Sequence, residues 1–223
     1  MNEVAQRLDE ARARVAAAAR ASGRADDAVT LVVVTKEVGL DAIRAALAAG
    51  AHDLGENRAQ ELVPKAEALA GEPAPPRWHF IGRLQRNKVR AVAPHVALWQ
   101  SIDRAELAAE VGRRAPGARV LVQVNLGGEA QKGGCEPAGA EPLVEACRAA
   151  GCRVEGLMTV PPAAGDPAPV FAGLRAMADR LGLAECSMGM SHDYEVAIAQ
   201  GATMVRIGSA IFGPRPGPGA ARR

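Results

Sequence analysis

The stretch LVVVTKEVGL, residues 31–40, sets the interpretation of the whole chain. Its four consecutive aliphatic residues predict a buried strand that ends at Thr35 and Lys36. The next segment, LDAIRAALAAG at residues 40–50, has the apolar periodicity of a helix. A strand followed directly by a helix is the repeating unit of an α/β protein, so the same alternation is expected further along the chain.

The alternation of strands and helices continues to the end of the chain. Eight short β-forming runs are separated by alanine- and leucine-rich segments with helical periodicity. Eight such units in about 200 residues favour a closed (β/α)8 TIM-type barrel. The second and seventh runs are weak strand patterns, which leaves an open doubly wound sheet as the structural alternative. The predicted strands are residues 29–35, 51–54, 77–81, 96–99, 118–124, 153–158, 184–188 and 203–207.

An extra amphipathic helix precedes the first strand and ends near Gly23. No linker divides the chain, so residues 1–213 are predicted to form a single domain. The Pro/Gly-rich tail, residues 214–223, offers no large apolar residue to bury and is expected to be disordered. The residues on the apolar face of the first helix are Val4, Leu8, Ala11 and Val15.

Charge and cysteine usage exclude several classes of protein. The 27 basic and 25 acidic residues alternate along the chain, which argues against nucleic-acid binding. The densest basic stretch, GRLQRNKVR at residues 82–90, has no interleaved aromatic residue and is interpreted as a solvated helix face, with anion binding as the alternative. Four cysteines without metal-ligand spacing indicate reduced thiols, and no metal site is expected. The sequence shows no signal peptide or membrane span, so a soluble cytoplasmic protein is expected.

Polar and glycine-rich residues follow nearly every predicted strand. In a barrel of parallel strands these loops share one rim, where the ligand-binding site lies. The loops after the seventh and eighth strands each place a serine, Ser191 or Ser209, where a helix is expected to begin, which is the N-cap position. With Gly208, these serines predict a phosphate-binding site made of hydroxyls, backbone N–H groups and helix N-termini. For either serine alone, an ordinary helix cap is the alternative.

Lys36 ends the most apolar strand of the chain and faces the same rim. An amine that burial partly desolvates there is a nucleophile toward carbonyl groups. The alternative is an ordinary lysine whose amine extends into solvent. A nucleophilic lysine beside a phosphate site is typical of a phosphosugar aldolase or of a protein that binds pyridoxal phosphate.

Arg206, near the end of the eighth strand, helps to separate these two functions. An arginine inside a barrel mouth needs an anion or a hydrogen-bond acceptor, and a pyridine nitrogen is such an acceptor. The other interpretation pairs Arg206 with a carboxylate such as Glu56. An aldolase would also need a second lysine or a carboxylate deep in the barrel. The fifth and sixth strands supply only Arg119, Gln123, Arg153 and Glu155, which disfavours that function.

Seven motifs, in their order and spacing, resemble the pyridoxal phosphate homeostasis protein family. They are VTKEV, GENRAQE, WHFIGRLQRNK, QVNLGGEAQKGG, GLMTV, SMGMSHDYEVAI and RIGSAIFGPR. The resemblance spans roughly residues 29–215 and implies a fold type III barrel related to the N-terminal half of alanine racemase, with pyridoxal 5'-phosphate held as a Schiff base. The sequence departs from the usual family pattern by having Thr35 in place of serine.

The resemblance also implies roles for individual residues. Lys36 would form the Schiff base, and Arg206 would face the pyridine nitrogen. Asn57 would stand beside the cofactor ring. The residues implied to hold the phosphate are Ser191, Gly208 and Ser209.

The function implied by the resemblance is intracellular homeostasis of pyridoxal phosphate, a form of vitamin B6. The protein would buffer or deliver the cofactor, with apo-enzymes that use it as candidate recipients and with no accepted turnover reaction. The residues agree, because the only tyrosine, Tyr194, lies in a predicted helix and leaves a racemase without its second acid/base. An arginine at the pyridine nitrogen would also make the ring a weaker electron sink. A weak pyridoxal-phosphate-dependent amino-acid racemase is the alternative.

No catalytic residue is assigned. His79, in the third strand, is interpreted as a buried residue with satisfied hydrogen bonds rather than a base in the site, and His52, His95 and His192 are given no role. The sequence shows no exposed aromatic or leucine seam that would require a dimer, so a monomer is expected.

Overall fold

The computed structural model describes residues 2–129 and 132–213. Eight parallel strands pair in chain order and close into a barrel. The strands are β1 (Thr30–Val34), β2 (Asp53–Glu56), β3 (Arg77–Phe80), β4 (Val96–Ile102), β5 (Arg119–Gln123), β6 (Arg153–Met158), β7 (Glu185–Met190) and β8 (Met204–Ile207). The helices are α1 (Glu3–Ala21), α2 (Leu40–Ala48), α3 (Ala59–Leu69), α4 (Val89–Val92), α5 (Ala105–Arg114), α6 (Ala140–Ala149), α7 (Ala168–Arg180), α8 (Tyr194–Ala199) and α9 (Ser209–Phe212).

Pairing between β8 and β1 closes the barrel. Thr30 lies opposite Met204, and the parallel register continues along both strands. The predicted (β/α)8 barrel is therefore confirmed, and the open doubly wound sheet is wrong. The weak second strand exists but begins at Asp53 rather than at residue 51. The N–H of Ala51 instead donates to the C=O of Ala46 and belongs to the end of α2.

Two apolar clusters fill the fold. The larger lies between the strands and the helices around them, and its fully buried side chains include Phe80, Trp99 and Phe171. The smaller consists of Leu98, Leu121, Met158 and Met204. Because side chains alternate along a strand, the residues two positions from a member of this second cluster share its face, which is the barrel interior. That interior also holds buried polar side chains, and these are His79, Gln100, Ser187 and Arg206.

The extra N-terminal helix α1 is present and packs against α8 and α9. The side chain of Asn2 caps it by accepting a hydrogen bond of 3.0 Å from the N–H of Val4. The guanidinium of Arg14 lies 5.6 Å from the centre of the Tyr194 ring at the start of α8. The buried residues of α1 are Leu8, Ala11, Val15 and Ala19, of which the first three were predicted.

All four cysteines are unpaired, as expected for reduced thiols. Burial raises the pKa of Cys147 to about 12, so this thiol stays protonated at neutral pH. Among the described residues, every helix is too short or too polar to span a lipid bilayer. The tail that was predicted to be disordered, residues 214–223, lies outside the described residues.

Candidate functional site

A cavity of about 220 Å³ opens at the carboxyl ends of β1 and β8. Below we call it the lysine cavity. Its apolar walls include Ile81 and Met190. Five of the six residues predicted to bind the cofactor line it together, and these are Lys36, Ser191, Arg206, Gly208 and Ser209.

Lys36 lies in a tight turn directly after β1. The N–H of Val38 donates to the C=O of Thr35 at 3.0 Å and closes the turn. Glu37 has a φ of +63°, a left-handed conformation that a residue with a side chain adopts only when its surroundings hold it there. The N–H of Glu37 donates to Oε2 of Glu61 at 2.7 Å, which supplies that restraint. Lys36 is half-buried and lines the cavity, so the geometry favours a positioned lysine over one that extends into solvent.

A buried ion pair supports this turn from behind. Nζ of Lys65 donates to Oε1 of Glu56 at 2.6 Å and to the C=O of Thr35 at 2.8 Å. The hydroxyl of Thr35 donates to the same Glu56 oxygen at 2.7 Å. Burial raises the pKa of Glu56 above its ordinary value, although the hydrogen bonds from Lys65 and Thr35 oppose the shift. Lys65 was not among the predicted residues, and its available signal was its i,i+4 spacing from Glu61 on α3.

Arg206 is a buried cation, with only 4% of its surface exposed. Its Nη1 donates to Oγ of Ser187 at 2.6 Å and its Nη2 to the C=O of Thr159 at 2.8 Å. Within the described residues it makes no ion pair, and Glu56, the alternative partner, bonds elsewhere. Burial lowers the pKa of Arg206 to about 10, so the guanidinium is still charged at neutral pH. Asp193 attracts this charge through space but forms no ion pair with it. A buried charge without a direct ion-pair partner is costly, which favours a ligand that supplies an acceptor.

Neither serine of the predicted phosphate site is a helix N-cap. Asp193 is the N-cap residue of α8, and Gly208 is that of α9, with Ser209 as the first helical residue. The N-cap position predicted for Ser191 was wrong, because Asp193 first closes a turn in which its carboxylate accepts from the N–H of Met190 at 2.5 Å. Since α8 has 6 residues and α9 has 4, the groups available to an anion are hydroxyls and backbone N–H groups rather than strong helix dipoles.

The lining of the lysine cavity differs from the predicted cofactor-binding residues at two positions. Asn57 lines a second cavity on the other side of the end of β3, and its place beside a cofactor ring stays a prediction. His192, for which no role was predicted, lines the lysine cavity and is exposed at its edge. Its position directly after Ser191 was the available signal.

His79 is a buried residue with satisfied hydrogen bonds, as predicted. Its Nε2 lies 3.1 Å from Oδ1 of Asp53, and its Nδ1 lies 2.7 Å from Nε2 of Gln100. Tyr194 is also buried, against α1. Within residues 2–129 and 132–213, no group of three histidine, cysteine or acidic side chains could hold a metal ion.

The parallel barrel, with a lysine after β1 and an arginine in β8, has the architecture of the alanine racemase N-terminal domain class. The family model described as "Alanine racemase, N-terminal domain" matches residues 6–216. The chain is 41% identical over 225 residues to the pyridoxal phosphate homeostasis protein of Pseudomonas aeruginosa, covering 96% of this chain and 97% of that one. It is 42% identical over 224 residues to the protein of the same name from Aquifex aeolicus, covering 94% and 97%. The chain belongs to the pyridoxal phosphate homeostasis protein family.

Solved structures agree with this assignment. PipY of Synechococcus elongatus PCC7942, with PLP bound, is 32% identical and superposes with a TM-score of 0.83, over 94% of this chain and 100% of that one. The structure of PipY without PLP gives a TM-score of 0.84 over the same shares. Lysine decarboxylase from Selenomonas ruminantium is 13% identical with a TM-score of 0.67, covering 93% of this chain and 61% of that one, and shares only the fold.

Proposed function

We propose that this protein binds pyridoxal 5'-phosphate in the lysine cavity and keeps or delivers the cofactor without turning over a substrate. One observation carries the proposal. The buried, charged Arg206, which has no carboxylate partner within the described residues, lines the same cavity as Lys36. The names of the relatives and the PLP-bound structure of PipY support the same ligand.

The residues of the cavity fit the groups of pyridoxal phosphate. When bound, the cofactor supplies an aldehyde and an electron-accepting pyridine ring. Lys36 would supply the amine that holds the aldehyde. Arg206 would donate a hydrogen bond to the ring nitrogen. The hydroxyls of Ser191 and Ser209 and the backbone around Gly208, where no side chain intervenes, would hold the phosphate.

The same arrangement favours a carrier over an enzyme. Arg206 donates hydrogen bonds but does not give up its proton at neutral pH, so it leaves a pyridine nitrogen unprotonated and the ring a weak electron sink. Tyr194 is buried against α1 and is not among the residues that line the cavity. The barrel would therefore hold the cofactor without an acid on one face of the ring and a base on the other.

A weak amino-acid racemase is the second candidate function, because His192 places one titratable side chain at the edge of the cavity. If His192 acted as an acid/base, exchange of the α-proton of alanine in deuterated water would fall in His192→Phe. His52, which is exposed and does not line the cavity, gives the control variant His52→Phe. Our proposal expects exchange at the level of free pyridoxal phosphate in all three proteins.

The direct test is the visible absorbance of the protein loaded with pyridoxal phosphate, before and after borohydride reduction, followed by mass mapping of the labelled peptide. We expect a visible band that is lost on reduction, with the label on Lys36. Lys36→Ala should remove the band, whereas Lys88→Ala, a lysine outside this cavity, should keep it. A protein that stays colourless and unlabelled would refute the proposal.

Delivery is tested separately, by mixing the loaded protein with an apo-aminotransferase. The proposal expects the aminotransferase to regain activity as the visible band of the carrier declines. We also propose that the protein acts as a monomer in the cytoplasm, which light scattering and cell fractionation would check. A loaded protein that never transfers its cofactor would leave binding intact but rule out delivery.

A further inference from the structure

A second cavity, of about 520 Å³, lies beside the lysine cavity at the carboxyl ends of β2 and β3. Phe80 lines this second cavity and the next residue, Ile81, lines the first, so the end of β3 separates them. The junction is tightly packed, because a Cβ atom at Gly82 would lie 2.1 Å from the carbonyl oxygen of Asn57. The close packing holds the ends of β2 and β3 together, and these ends form one side of the cavity.

Its lining is strongly cationic, and we call it the basic cavity. Four cations line it and no carboxylate is among the described residues that do so. Nε of Arg83 lies 4.0 Å from Oδ2 of Asp103, and Arg104 bonds to the same carboxylate. One acid thus serves two of the cations. The four cations are Arg58, Arg83, Lys88 and Arg104.

The other two cations are also incompletely neutralised. Arg58 lies 3.8 Å from Glu61 and 3.9 Å from Glu37, distances too long for strong pairing. Glu61 is already occupied by Lys65 at 3.2 Å. Lys88 is half-buried and makes no ion pair in the part of the chain that the structure describes. The basic cavity therefore carries an excess of positive charge.

Hydrogen-bonding groups refine the kind of anion. The 11-residue helix α3 begins here, and Arg58 at its N-cap gives no side-chain cap. The first N–H groups of a helix have no partner within it, and Ala59 and Gln60, from the first turn of α3, line the cavity. Oδ1 of Asn57 is buried without a hydrogen-bond partner among the described residues. An anion would pair with the cations and accept hydrogen bonds from the N–H groups. Oδ1 of Asn57 is itself an acceptor, so the same ligand must also carry a hydrogen-bond donor.

We propose that the basic cavity binds a small phosphomonoester that also carries a hydroxyl or amino group, independently of the lysine cavity. Arginine forks match the oxygens of a phosphate, and the hydroxyl or amino group donates to Asn57. The cavity volume, about 520 Å³, lies within the range of about 300–1,000 Å³ that is typical of small-molecule sites. The proposal does not depend on the function of the lysine cavity.

The test is isothermal titration of the full chain with glycerol 3-phosphate at constant ionic strength. We expect saturable binding that weakens at least about tenfold in the double variant Arg83→Ser/Lys88→Ser, because two charge-assisted hydrogen bonds are lost. The matched control Arg86→Ser/Arg90→Ser removes the same charge from the same segment, at positions that do not line the cavity. Its affinity should stay within about twofold of the unmodified protein.

Further variants locate the site and identify the role of Asn57. Inorganic phosphate should bind more weakly than glycerol 3-phosphate, by about two- to tenfold for one hydrogen bond, and Asn57→Ala should abolish that difference. Equal weakening in both double variants would mean a general electrostatic attraction and would overturn the proposal. So would binding that is lost in Ser191→Ala/Ser209→Ala and kept in the basic-cavity variant, because the anion would then occupy the lysine cavity alone.

Discussion

Arg206 donates a hydrogen bond of 2.6 Å from Nη1 to Oγ of Ser187 inside the barrel. Because a guanidinium only donates, Ser187 accepts this bond, and its own proton goes to Oε1 of Gln100 at 2.6 Å. The amide nitrogen of Gln100 is thereby directed at Nδ1 of His79, 2.7 Å away. These hydrogen bonds form a chain in which each group donates to the next, from Arg206 at the lysine cavity to His79 inside the barrel.

Replacing Ser187 by alanine should destabilise the fold. The change leaves an N–H of the buried guanidinium and Oε1 of Gln100 without their partner. We expect the free energy of unfolding to fall by about 2 kcal/mol, measured by urea denaturation. Ser22→Ala is the control, since the exposed hydroxyl of Ser22 donates only to the C=O of Ala18, and its effect should stay within about 0.5 kcal/mol. If both variants lost the same free energy of unfolding, the buried hydrogen bonds of Ser187 would contribute no more than the exposed one of Ser22.

The same chain predicts the tautomer of His79. Nδ1 faces a donor, so it must accept, and the ring proton must lie on Nε2, which then donates to Oδ1 of Asp53 at 3.1 Å. Nitrogen NMR of histidine-labelled protein at neutral pH should show a protonated Nε2 and an unprotonated Nδ1 for His79. The exposed His52 provides the spectrum of an unrestrained ring. A proton found on Nδ1 of His79 would mean that the chain runs in the opposite direction.

The fold could be predicted from the sequence because alternation of apolar runs and helical segments reports directly on a parallel barrel. Strand ends were less predictable. The fourth strand was predicted to stop at residue 99, but β4 continues to Ile102 and buries Gln100 and Ser101. Polar residues normally indicate that a strand has ended. Here Gln100 remains in the strand because it bonds to His79 and Ser187 inside the barrel. Ser101 remains in it because its hydroxyl donates to the C=O of Gly82.

The candidate site was predictable only in part, for a similar reason. Lys36 and Arg206 stand out because each is a charge within or directly after an apolar run. Lys65 does not stand out, since it lies on a helix and reaches Glu56 only after β2 and α3 have packed together. The basic cavity was not predicted as a site. Residues 82–90 were interpreted as a solvated helix face, with anion binding as the alternative, because Arg58 and Arg104 come from other loops than Arg83 and Lys88.

Loss of Lys65 should destabilise the turn that carries Lys36. In Lys65→Met the carboxylate of Glu56 stays buried without its cation, and the free energy of unfolding should fall by about 3–5 kcal/mol at pH 8. The pKa of Glu56 is already raised by burial, and removal of the cation raises it further. A raised acid pKa gives stability that is present below the unfolded value and lost as pH rises through the folded value. The loss should therefore be smaller at pH 5 than at pH 8.

The matched control for this prediction is the double variant Lys65→Met/Glu56→Gln, which removes both charges. It should recover much of the stability, because no ion is left buried alone. Urea denaturation of the four proteins of the cycle at both pH values provides the measurement. Additive effects of the two substitutions would show that the pair is not coupled.

Asp53 should make the protein sensitive to acid. Burial alone would raise the pKa of Asp53, but hydrogen bonds from Arg77 at 2.8 and 2.6 Å and from His79 outweigh it, so the pKa lies well below its ordinary value. A lowered acid pKa gives stability that is present above the unfolded value, 3.8, and lost as pH falls toward the folded value. Asp53→Asn should lose about 2 kcal/mol at pH 7, and the difference from the unmodified protein should shrink between pH 5 and pH 2. The control is Asp41→Asn, at a fully exposed side chain, whose free energy of unfolding should follow that of the unmodified protein at every pH. If the stability difference for Asp53→Asn stayed constant with pH, this account would be contradicted.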